Sequence, residues 1–288
     1  MLSALPGVLF DGVAYGSLLF LISIGLSVTL GLMNFINLAH GAFAMVGGYA
    51  CVVATLRYGL PFGVALVVAF AVAAIAGGVL ERVLYRRLYG RSPLDQVLFT
   101  IGLTFMSIAA ATWVFGSGQQ PVRLPDTLLG QTRILGVDVG IYRLFLIAIV
   151  FALASGLALL VTRTRFGARI RASVDDARTA AGLGIDVERV FSVTFTLGSG
   201  LAGLGGALGI DVLGLDPTFP LKYMVYFLLV VVVGGAGTIV GTLCAAMVLG
   251  IFDVAGKYYV PWAGAFVIYA LMVALLLLFP RGLLRRIR

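Results

Sequence analysis

Apolar runs long enough to cross a lipid bilayer recur along almost the entire chain. A membrane-spanning helix needs about 20 mostly apolar residues, and fewer suffice where a broken helix is shielded by protein. The pattern predicts spans at 8–32, 41–56, 61–84, 97–115, 141–162, 190–214, 223–235, 239–256 and 262–279. The predicted fold is therefore an all-α polytopic membrane helix bundle with eight or nine crossings and broken helices, and residues 1–288 form a single transmembrane domain.

Two of these runs are short and adjoin polar or glycine-rich breaks. Residues 41–56 follow the polar stretch NFINLAHG, and residues 223–235 end in GGAGTIVG. Each break is either a turn at the membrane surface or a discontinuity within the membrane. These two alternatives are the reason why the crossing number is given as eight or nine.

The composition leaves no room for a separate soluble domain. Hydrophobic residues make up 61% of the chain and charged residues 11%, whereas soluble domains carry roughly 45–50% and about 25%. Glycine is frequent, with 38 of the 288 residues. Because small residues let membrane helices approach closely, the glycines inside the apolar runs predict tight helix packing.

The basic residues predict the orientation of the chain in the membrane. Of the 20 lysines and arginines, 14 lie in or beside three segments, the loops 85–96 and 163–189 and the tail after 280. Cytoplasmic loops collect such residues, so these segments are predicted to be cytoplasmic and the polar loop 116–140 to lie outside. The net charge of +8 therefore indicates membrane orientation and contact with lipid, not binding of nucleic acid.

No motif for catalysis or ion coupling is present. Gly256 and Lys257 are followed by Tyr258, so the phosphate-binding motif G-x-x-x-x-G-K-[ST] is absent. One histidine and two separated cysteines do not make a usual metal site. Ion symporters place carboxylates deep in their spans, but here these all lie near span ends: Asp11, Glu81, Asp211, Asp216 and Asp253. The chain is predicted not to be an enzyme and to bind no cofactor, so other subunits must hydrolyse any ATP.

The 163–189 loop contains an amphipathic pattern. Apolar residues recur at helical spacing within it, and Gly182 is predicted to end the helix. The stripe consists of Ile170, Val174, Ala177 and Ala181. Such a helix either lies on the lipid surface or docks into a groove of a soluble partner, and the residues alone favour neither.

Three stretches of the chain resemble the branched-chain amino-acid (Liv) permease family of ABC importers. The first is GLSVTLGLMNFINLAHGAFAMVGGY at 25–49, and the second is TRFGARIRASVDDARTAAGLGIDVERV at 164–190. The third is VGGAGTIVGTLCAAMVLG at 233–250, together with the ending FPRGL at 279–283. They span the chain in order, and the first two are specific to the family.

The resemblance implies that the 163–189 loop couples the protein to an ATPase. The matched coupling positions are Arg171, Ala172, Asp176, Ala180 and Gly184. The alternative for Arg171 is an anchor to lipid headgroups. As docking positions, Arg171 and Ala180 are expected not to contact the rest of the fold. The implied partners are a second permease subunit in a heterodimer, two cytoplasmic ABC ATPases and a periplasmic substrate-binding protein.

Two further groups of residues are candidates for function. Asn34, Asn37 and His40 either line the translocation path or hydrogen-bond exposed backbone at the first break. Glycines of the third stretch are expected to pack helices, with two of them forming a G-x-x-x-G pair at 237 and 241. These glycines are Gly234, Gly235, Gly237 and Gly241.

Taken with the resemblance, the predicted function is the permease subunit of an ATP-driven importer in the bacterial inner membrane, working by alternating access. Branched-chain amino acids are the first candidate substrate, followed by urea, short amides and small aromatic acids. Ala42 and the bulky run 222–235 depart from the family pattern and bear on the choice of substrate. The competing prediction is a stand-alone secondary transporter or channel for small polar solutes.

Overall fold

The computed structural model describes residues 4–134 and 136–278, so the FPRGL ending and the arginines of the tail lie outside the described residues. The described chain forms eleven α-helices and one β-hairpin. The helices are α1 (Leu5–Met33), α2 (His40–Val52), α3 (Phe62–Val83), α4 (Pro93–Phe115), α5 (Ile141–Arg163), α6 (Arg165–Asp175), α7 (Ala177–Gly182), α8 (Val187–Leu213), α9 (Phe219–Gly234), α10 (Ile239–Tyr259) and α11 (Gly264–Leu278).

Each apolar run of the sequence corresponds to one helix of the bundle. By length and composition, six helices in the described ranges could cross a membrane, namely α1, α3, α4, α5, α8 and α10. Helix α9 is shorter, and α2 is prolonged by a π-helical turn at Val53–Arg57. The all-α polytopic bundle is thus confirmed, while the crossing number of eight or nine stays a prediction.

The loop 116–140 contains a small antiparallel hairpin that the apolar pattern did not predict. Strand β1 (Gln131–Ile134) pairs with β2 (Val137–Gly140), and Ile134 lies opposite Val137. The hairpin has only four residues in each strand, which is too short for an alternating pattern to stand out in a polar loop. It leads directly into α5.

The first polar break is a discontinuity inside the bundle. Helix α1 ends at Asn34, whose φ of 47° is left-handed, and residues 35–39 run back along the helix in non-helical form. The His40 Nε2 atom lies 2.9 Å from the carbonyl oxygen of Ile22. Ile22 precedes the end of α1 by three turns, about 16 Å. Helix α2 therefore begins deep within the bundle.

A second discontinuity precedes α9, where the sequence had suggested a break after it. Residues 214–218 are non-helical and mostly buried. A Cβ on Gly48 would meet the side chain of Leu215 at 3.0 Å, and one on Gly41 would meet the Cα of Pro220 at 3.0 Å. The chain thus runs antiparallel to α2 before α9 starts, and the first turns of α2 and α9 touch. The GGAGTIVG stretch, in contrast, contains the turn between α9 and α10.

Helix α8 is the centre of the bundle and packs by backbone contact. Most residues of α1 and α8 are buried, whereas few residues of α4 and α5 are. Three glycines of α8 lie at such contacts. A Cβ on Gly206 would collide with Ala44 of α2, one on Gly203 with Ala73 of α3, and one on Gly25 of α1 with the backbone of Gly198. The excess of glycine therefore has a structural reason, because three helices touch one glycine-rich helix.

Contacts between loops define the two ends of the bundle. Arg86 lies 3.6 Å from Glu188, which brings the basic loops 85–96 and 163–189 to the same end. At the other end, Gln120 donates a backbone hydrogen bond of 2.8 Å to Leu215. Arg143, at the start of α5, pairs with Asp11 near the start of α1. The arrangement agrees with the sides predicted from the basic residues.

Candidate functional site

The 163–189 loop is folded and is held against the transmembrane helices. Thr164 caps α6 by accepting a hydrogen bond of 3.0 Å from the backbone N–H of Gly167. Gly167 lies so close to the last carbonyl groups of α5 that a Cβ would collide with them. Ile170 of α6 and Val190 of α8 form a small buried apolar cluster. Helix α6 is therefore fixed to both α5 and α8.

The loop contains two short helices, so the prediction of one continuous amphipathic helix is wrong. The chain leaves the helical conformation at Asp176, with φ −155° and ψ 100°, and α7 begins at the next residue. The predicted stripe is consequently divided. Ile170 is buried in α6, whereas Ala177 and Ala181 of α7 are exposed.

Asp176 is the residue that ends α6 and starts α7. Its Oδ1 accepts hydrogen bonds from the backbone N–H groups of Arg178 (2.9 Å) and Thr179 (3.0 Å). Its Oδ2 accepts a further bond of 2.6 Å from the Thr179 hydroxyl. The bonds from Thr179, followed by the bond from Arg178, lower the pKa of Asp176 from its ordinary value. The matched family position thus has a structural role as a helix cap.

Removing this cap should loosen α7 selectively. In an Asp176→Ala variant, two backbone N–H groups of a six-residue helix lose their acceptor, so amide hydrogen exchange over 177–183 should accelerate about fivefold. Asp176→Asn keeps a capping oxygen and is the matched control, with exchange close to that of the parent. Equal exchange in the two variants would show that the cap does not hold α7.

Two of the predicted docking positions contact the fold itself, which corrects the expectation that they do not. Ala180 is only 2% exposed and faces inward from α7. The Arg171 guanidinium donates a hydrogen bond to the carbonyl oxygen of Val161 in the last turn of α5. A cation at that place stabilises the helix C-terminus. The residues exposed at the loop surface are Ala177, Ala181 and Leu183, and the exposed fraction of Leu183 is 79%.

The other predicted coupling positions lie at the edges of these helices. Ala172 in α6 is partly buried. Helix α7 ends at Gly182, as predicted, but the left-handed residue is Gly184, with φ 84°. Beyond it, the N–H of Ile185 donates a hydrogen bond of 3.1 Å to the carbonyl of Ala180. Glycine at 184 is therefore explained by backbone conformation.

A buried carboxylate, which the sequence placed only at a span end, organises the same end of the bundle. Glu81 in the last turn of α3 has no solvent exposure. It accepts hydrogen bonds from the hydroxyls of Ser192 (2.7 Å) and Tyr89 (2.8 Å), and Arg86 lies 3.2 Å from it. Because Arg86 also approaches Glu188, this cluster joins α3, the following loop and the start of α8.

The three polar residues of the first break have different surroundings. Asn34 is exposed at the end of α1, while Asn37 and His40 are buried. Asn37 Oδ1 accepts hydrogen bonds from the hydroxyl of Tyr85 and the N–H of Ala39, both at 3.1 Å. These bonds brace the break, and a role in the translocation path stays a prediction. The Nδ2 atom of Asn37 is buried without a partner among the described residues.

Side chains of α4 supply partners for the exposed backbone of this break. Gln96 Oε1 accepts a bond of 3.4 Å from the N–H of Ile36, and the Thr100 hydroxyl accepts one of 3.3 Å from Leu38. Non-helical backbone at membrane depth requires such partners. The sequence did not identify Gln96 or Thr100, although polar residues one turn apart in an apolar helix are a usable signal.

The glycines of the third stretch pack the turn between α9 and α10. A Cβ on Gly234 would lie 2.7 Å from the Cα of Thr242, and one on Gly241 would collide with the carbonyl of Gly234. Gly235 and Gly237 have φ values of 86° and 81°. Gly237 precedes α10, so the predicted G-x-x-x-G pair on one helix is wrong. The N–H of Gly237 instead donates a bond of 2.8 Å to Ser27 in α1.

Two polar cavities lie under the loop 116–140 at the opposite end. Their volumes are about 680 Å³ and 390 Å³, and both are bounded by Leu124, Leu129 and Asp211. Arg123 lines the larger cavity, while Asp11 and Arg143 line the smaller. This end of the bundle therefore offers space for a small polar solute.

A second carboxylate that the sequence placed only near a span end is also buried. Asp253 of α10 is 1% exposed, and its Oδ2 accepts a hydrogen bond of 2.5 Å from Lys257. The Lys257 ammonium also lies 5.5 Å from the ring centre of Tyr15. The spacing of Asp253 and Lys257 by four residues was the signal in the sequence for this ion pair. In the described ranges, no three His, Cys, Asp or Glu residues are grouped as metal ligands.

The comparisons with known proteins cover nearly the whole chain. The family described as the permease component of branched-chain amino acid transport systems matches residues 8–276. The high-affinity branched-chain amino acid transport system permease protein LivH of Escherichia coli K12 is 29% identical over 292 residues, covering 96% of this chain and 94% of the relative. No solved structure matches the chain.

Two further relatives extend the match across distant organisms. The permease protein BraD of Pseudomonas aeruginosa, named for the same kind of transport system, is 28% identical, with 96% of this chain and 95% of the relative covered. The probable permease protein LivH of Methanocaldococcus jannaschii is also 28% identical, with coverage of 96% and 91%. The similarity therefore includes both ends of the bundle.

Proposed function

Since the chain belongs to the family of permease components of branched-chain amino acid transport systems, we propose that it is the membrane-spanning subunit of an ATP-driven importer of branched-chain amino acids. The names of LivH and BraD support this choice of substrate. The proposed location is the bacterial inner membrane. A second, homologous permease subunit, two cytoplasmic ATPases and a periplasmic binding protein complete the proposed complex.

The single observation that carries the ATP-driven mechanism is the exposed helix α7 on a firmly attached base. Ala177 and Ala181 present a small, smooth surface, and Leu183 projects beside them. A groove on an ATPase subunit can accommodate such a helix. Because α6 is fixed to α5 and α8 through Gly167, Ile170 and the neighbouring cluster, a displacement of α7 would be transmitted to the transmembrane helices.

In the proposed cycle, ATP binding and hydrolysis occur entirely in the partner subunits. Movement of their grooves drives α6 and α7, and the bundle alternates between outward and inward openings. The buried cluster around Glu81 lies where α3 and α8 meet the loop, which suits it to move as part of the same rigid unit. The polar cavities at the far end would receive the amino acid from the binding protein.

Purification of the tagged permease from its own host membranes tests this proposal. We expect it to bring two soluble subunits carrying the P-loop motif, and the reconstituted complex to hydrolyse ATP faster when loaded binding protein is added. Ala181→Trp should obstruct docking and abolish subunit retention, because a large ring replaces a methyl group on the exposed face of α7.

The matched control is Ala109→Trp, on an exposed face of α4 far from the loop, which should retain the ATPases. Uptake by the isolated permease driven by an ion gradient, with no ATPase in the preparation, would contradict the proposal. That result would instead support a stand-alone secondary transporter. Full retention and stimulation in Ala181→Trp would remove α7 from the docking surface.

A further inference from the structure

A cavity of about 590 Å³ lies between α6 and the first turns of α8, at the end of the bundle that carries the basic loops. It adjoins the exposed face formed by Ala177 and Ala181, since Leu183 also lines it. Its polar lining comes from Arg169, Asp186 and Arg189, and its apolar lining includes Phe166, Val190 and Val193. Apart from Leu183, the coupling function proposed above uses none of the side chains that line this cavity for docking.

The charged groups of this cavity have unused binding capacity. Within the described part of the chain, the guanidinium groups of Arg169 and Arg189 take part in no ion pair or hydrogen bond. Asp186 Oδ1 caps α8 by accepting a bond of 2.9 Å from the N–H of Arg189. Its Oδ2 has no partner among the described residues. Two cationic residues and one anionic residue, all exposed, thus line the same cavity.

The apolar lining is suited to a short branched side chain. Val190 is buried, Val193 is 38% exposed and Phe166 is partly buried. An apolar crevice continues past Phe166 between α1, α5 and α8, but its volume is only about 40 Å³. That is roughly the volume of one water molecule, so it does not admit the acyl chain of a phospholipid.

We propose that this cavity binds the α-amino acid with a branched apolar side chain from the cytoplasm. The carboxylate would lie between Arg169 and Arg189, and the ammonium group would lie at Asp186 Oδ2. The side chain would contact Phe166, Val190 and Val193. The identity of the amino acid rests on the proposed function, whereas the zwitterionic character of the ligand rests on the charges of the cavity.

A ligand at this place would regulate transport. It would lie against Leu183, which lines the cavity and projects beside the exposed face of α7, and would thereby interfere with docking of the ATPase at that face. A ligand that binds the undocked permease more tightly than the docked one shifts the population towards the undocked state. The accumulated amino acid therefore slows ATP hydrolysis by the complex, which is feedback by the imported product.

The test uses the full complex in nanodiscs, without binding protein, so that only sites on the complex are available to the amino acid. L-leucine should bind saturably and lower basal ATP hydrolysis over the same concentration range. The keto acid 4-methyl-2-oxopentanoate lacks the ammonium group, and isoamylamine lacks the carboxylate. Each should bind at least about tenfold more weakly, because each loses one charge-assisted interaction.

Three variants locate the site. Arg169→Gln and Arg189→Gln should each weaken leucine binding and inhibition about tenfold or more. Asp186→Asn preserves the cap of α8, since asparagine caps as well as aspartate. Its affinity for leucine should nevertheless fall at least about tenfold, because the negative charge is missing. The control is Arg91→Gln, an exposed arginine at the same end that does not line the cavity, and it should behave as the parent.

The outcomes separate this inference from the proposed function. Absence of leucine binding, or binding and inhibition unchanged in all three variants, overturns the cavity assignment. A phospholipid retained by the parent complex and lost from the arginine variants, without leucine inhibition, overturns it in favour of a lipid site. Uptake of leucine with the binding protein is measured in parallel. Absence of uptake would contradict the proposed function, whereas the binding curves alone decide whether the cavity binds leucine.

Discussion

Replacing Gly206 by valine should prevent folded permease from accumulating in the membrane. Gly206 lies in the middle of α8, and a Cβ there would collide with the backbone carbonyl of Ala44 in α2. Both partners are helix backbone, so relief requires the two helices to separate. Overpacking of a core typically costs about 1–3 kcal/mol, and a clash with backbone lies at the upper end of that range or beyond it.

Fluorescence-detected size-exclusion chromatography of solubilised membranes measures the expected loss. The control is Gly156→Val in α5, where a Cβ would meet no atom within 4 Å, so this variant should be recovered in normal amount. Gly206→Ala tests the same contact with a single methyl group and should reduce recovery as well. Normal recovery of Gly206→Val would mean that α2 and α8 are not in backbone contact.

The helices were predictable because the bilayer limits what an apolar run can become. A run of about 20 apolar residues in lipid must satisfy its backbone internally, and a helix does so without any partner. Each predicted span therefore corresponds to a helix. The second discontinuity was misplaced, because residues 214–218 contain turn-forming residues such as Asp216 and Pro217 that also suit a surface loop. Only contacts with α2 identify their position.

The break at Asp176 shows why periodicity alone misjudged the 163–189 loop. The apolar spacing continues through the break, because α6 and α7 are both helical and are separated by a single residue. The signal for the break was Asp176, a capping residue, with Thr179 three positions later. The hydroxyl and the N–H of Thr179 both donate hydrogen bonds to Asp176. A strong N-cap inside a helical pattern is evidence for a new helix start.

Contact partners of polar and glycine residues were beyond the reach of the sequence. Gly237 and Gly241 have the spacing of a helix-packing pair, yet one contacts α1 and the other contacts the end of α9. The Arg171 side chain returns to α5, although its sequence position suits an exposed surface equally well. Such assignments depend on the three-dimensional arrangement of several helices, which no local pattern determines.

Substitution of Glu81 by alanine should strongly destabilise the end of the bundle that carries the basic loops. The Ser192 and Tyr89 hydroxyls would lose their common acceptor in the interior of the bundle, whereas the Arg86 guanidinium, 37% exposed, can be solvated. Each buried donor left without an acceptor typically costs about 1–3 kcal/mol, and two hydroxyls are affected. We therefore expect the midpoint of thermal unfolding in detergent to fall by about 10 °C, with α3 and α8 separating first.

Arg86 also provides a matched control, because its second partner is exposed. The Glu188 side chain is 80% exposed, so water can solvate Arg86 when the charge of Glu188 is removed. Exposed ion pairs contribute about 0–1 kcal/mol, so Glu188→Gln should lower the midpoint by no more than about 3 °C. If the two variants lose equal stability, Glu81 is not the buried centre of the cluster. A large loss in Glu81→Ala alone establishes that α3 and α8 are joined at Glu81, next to the loop proposed to receive the force of ATP hydrolysis.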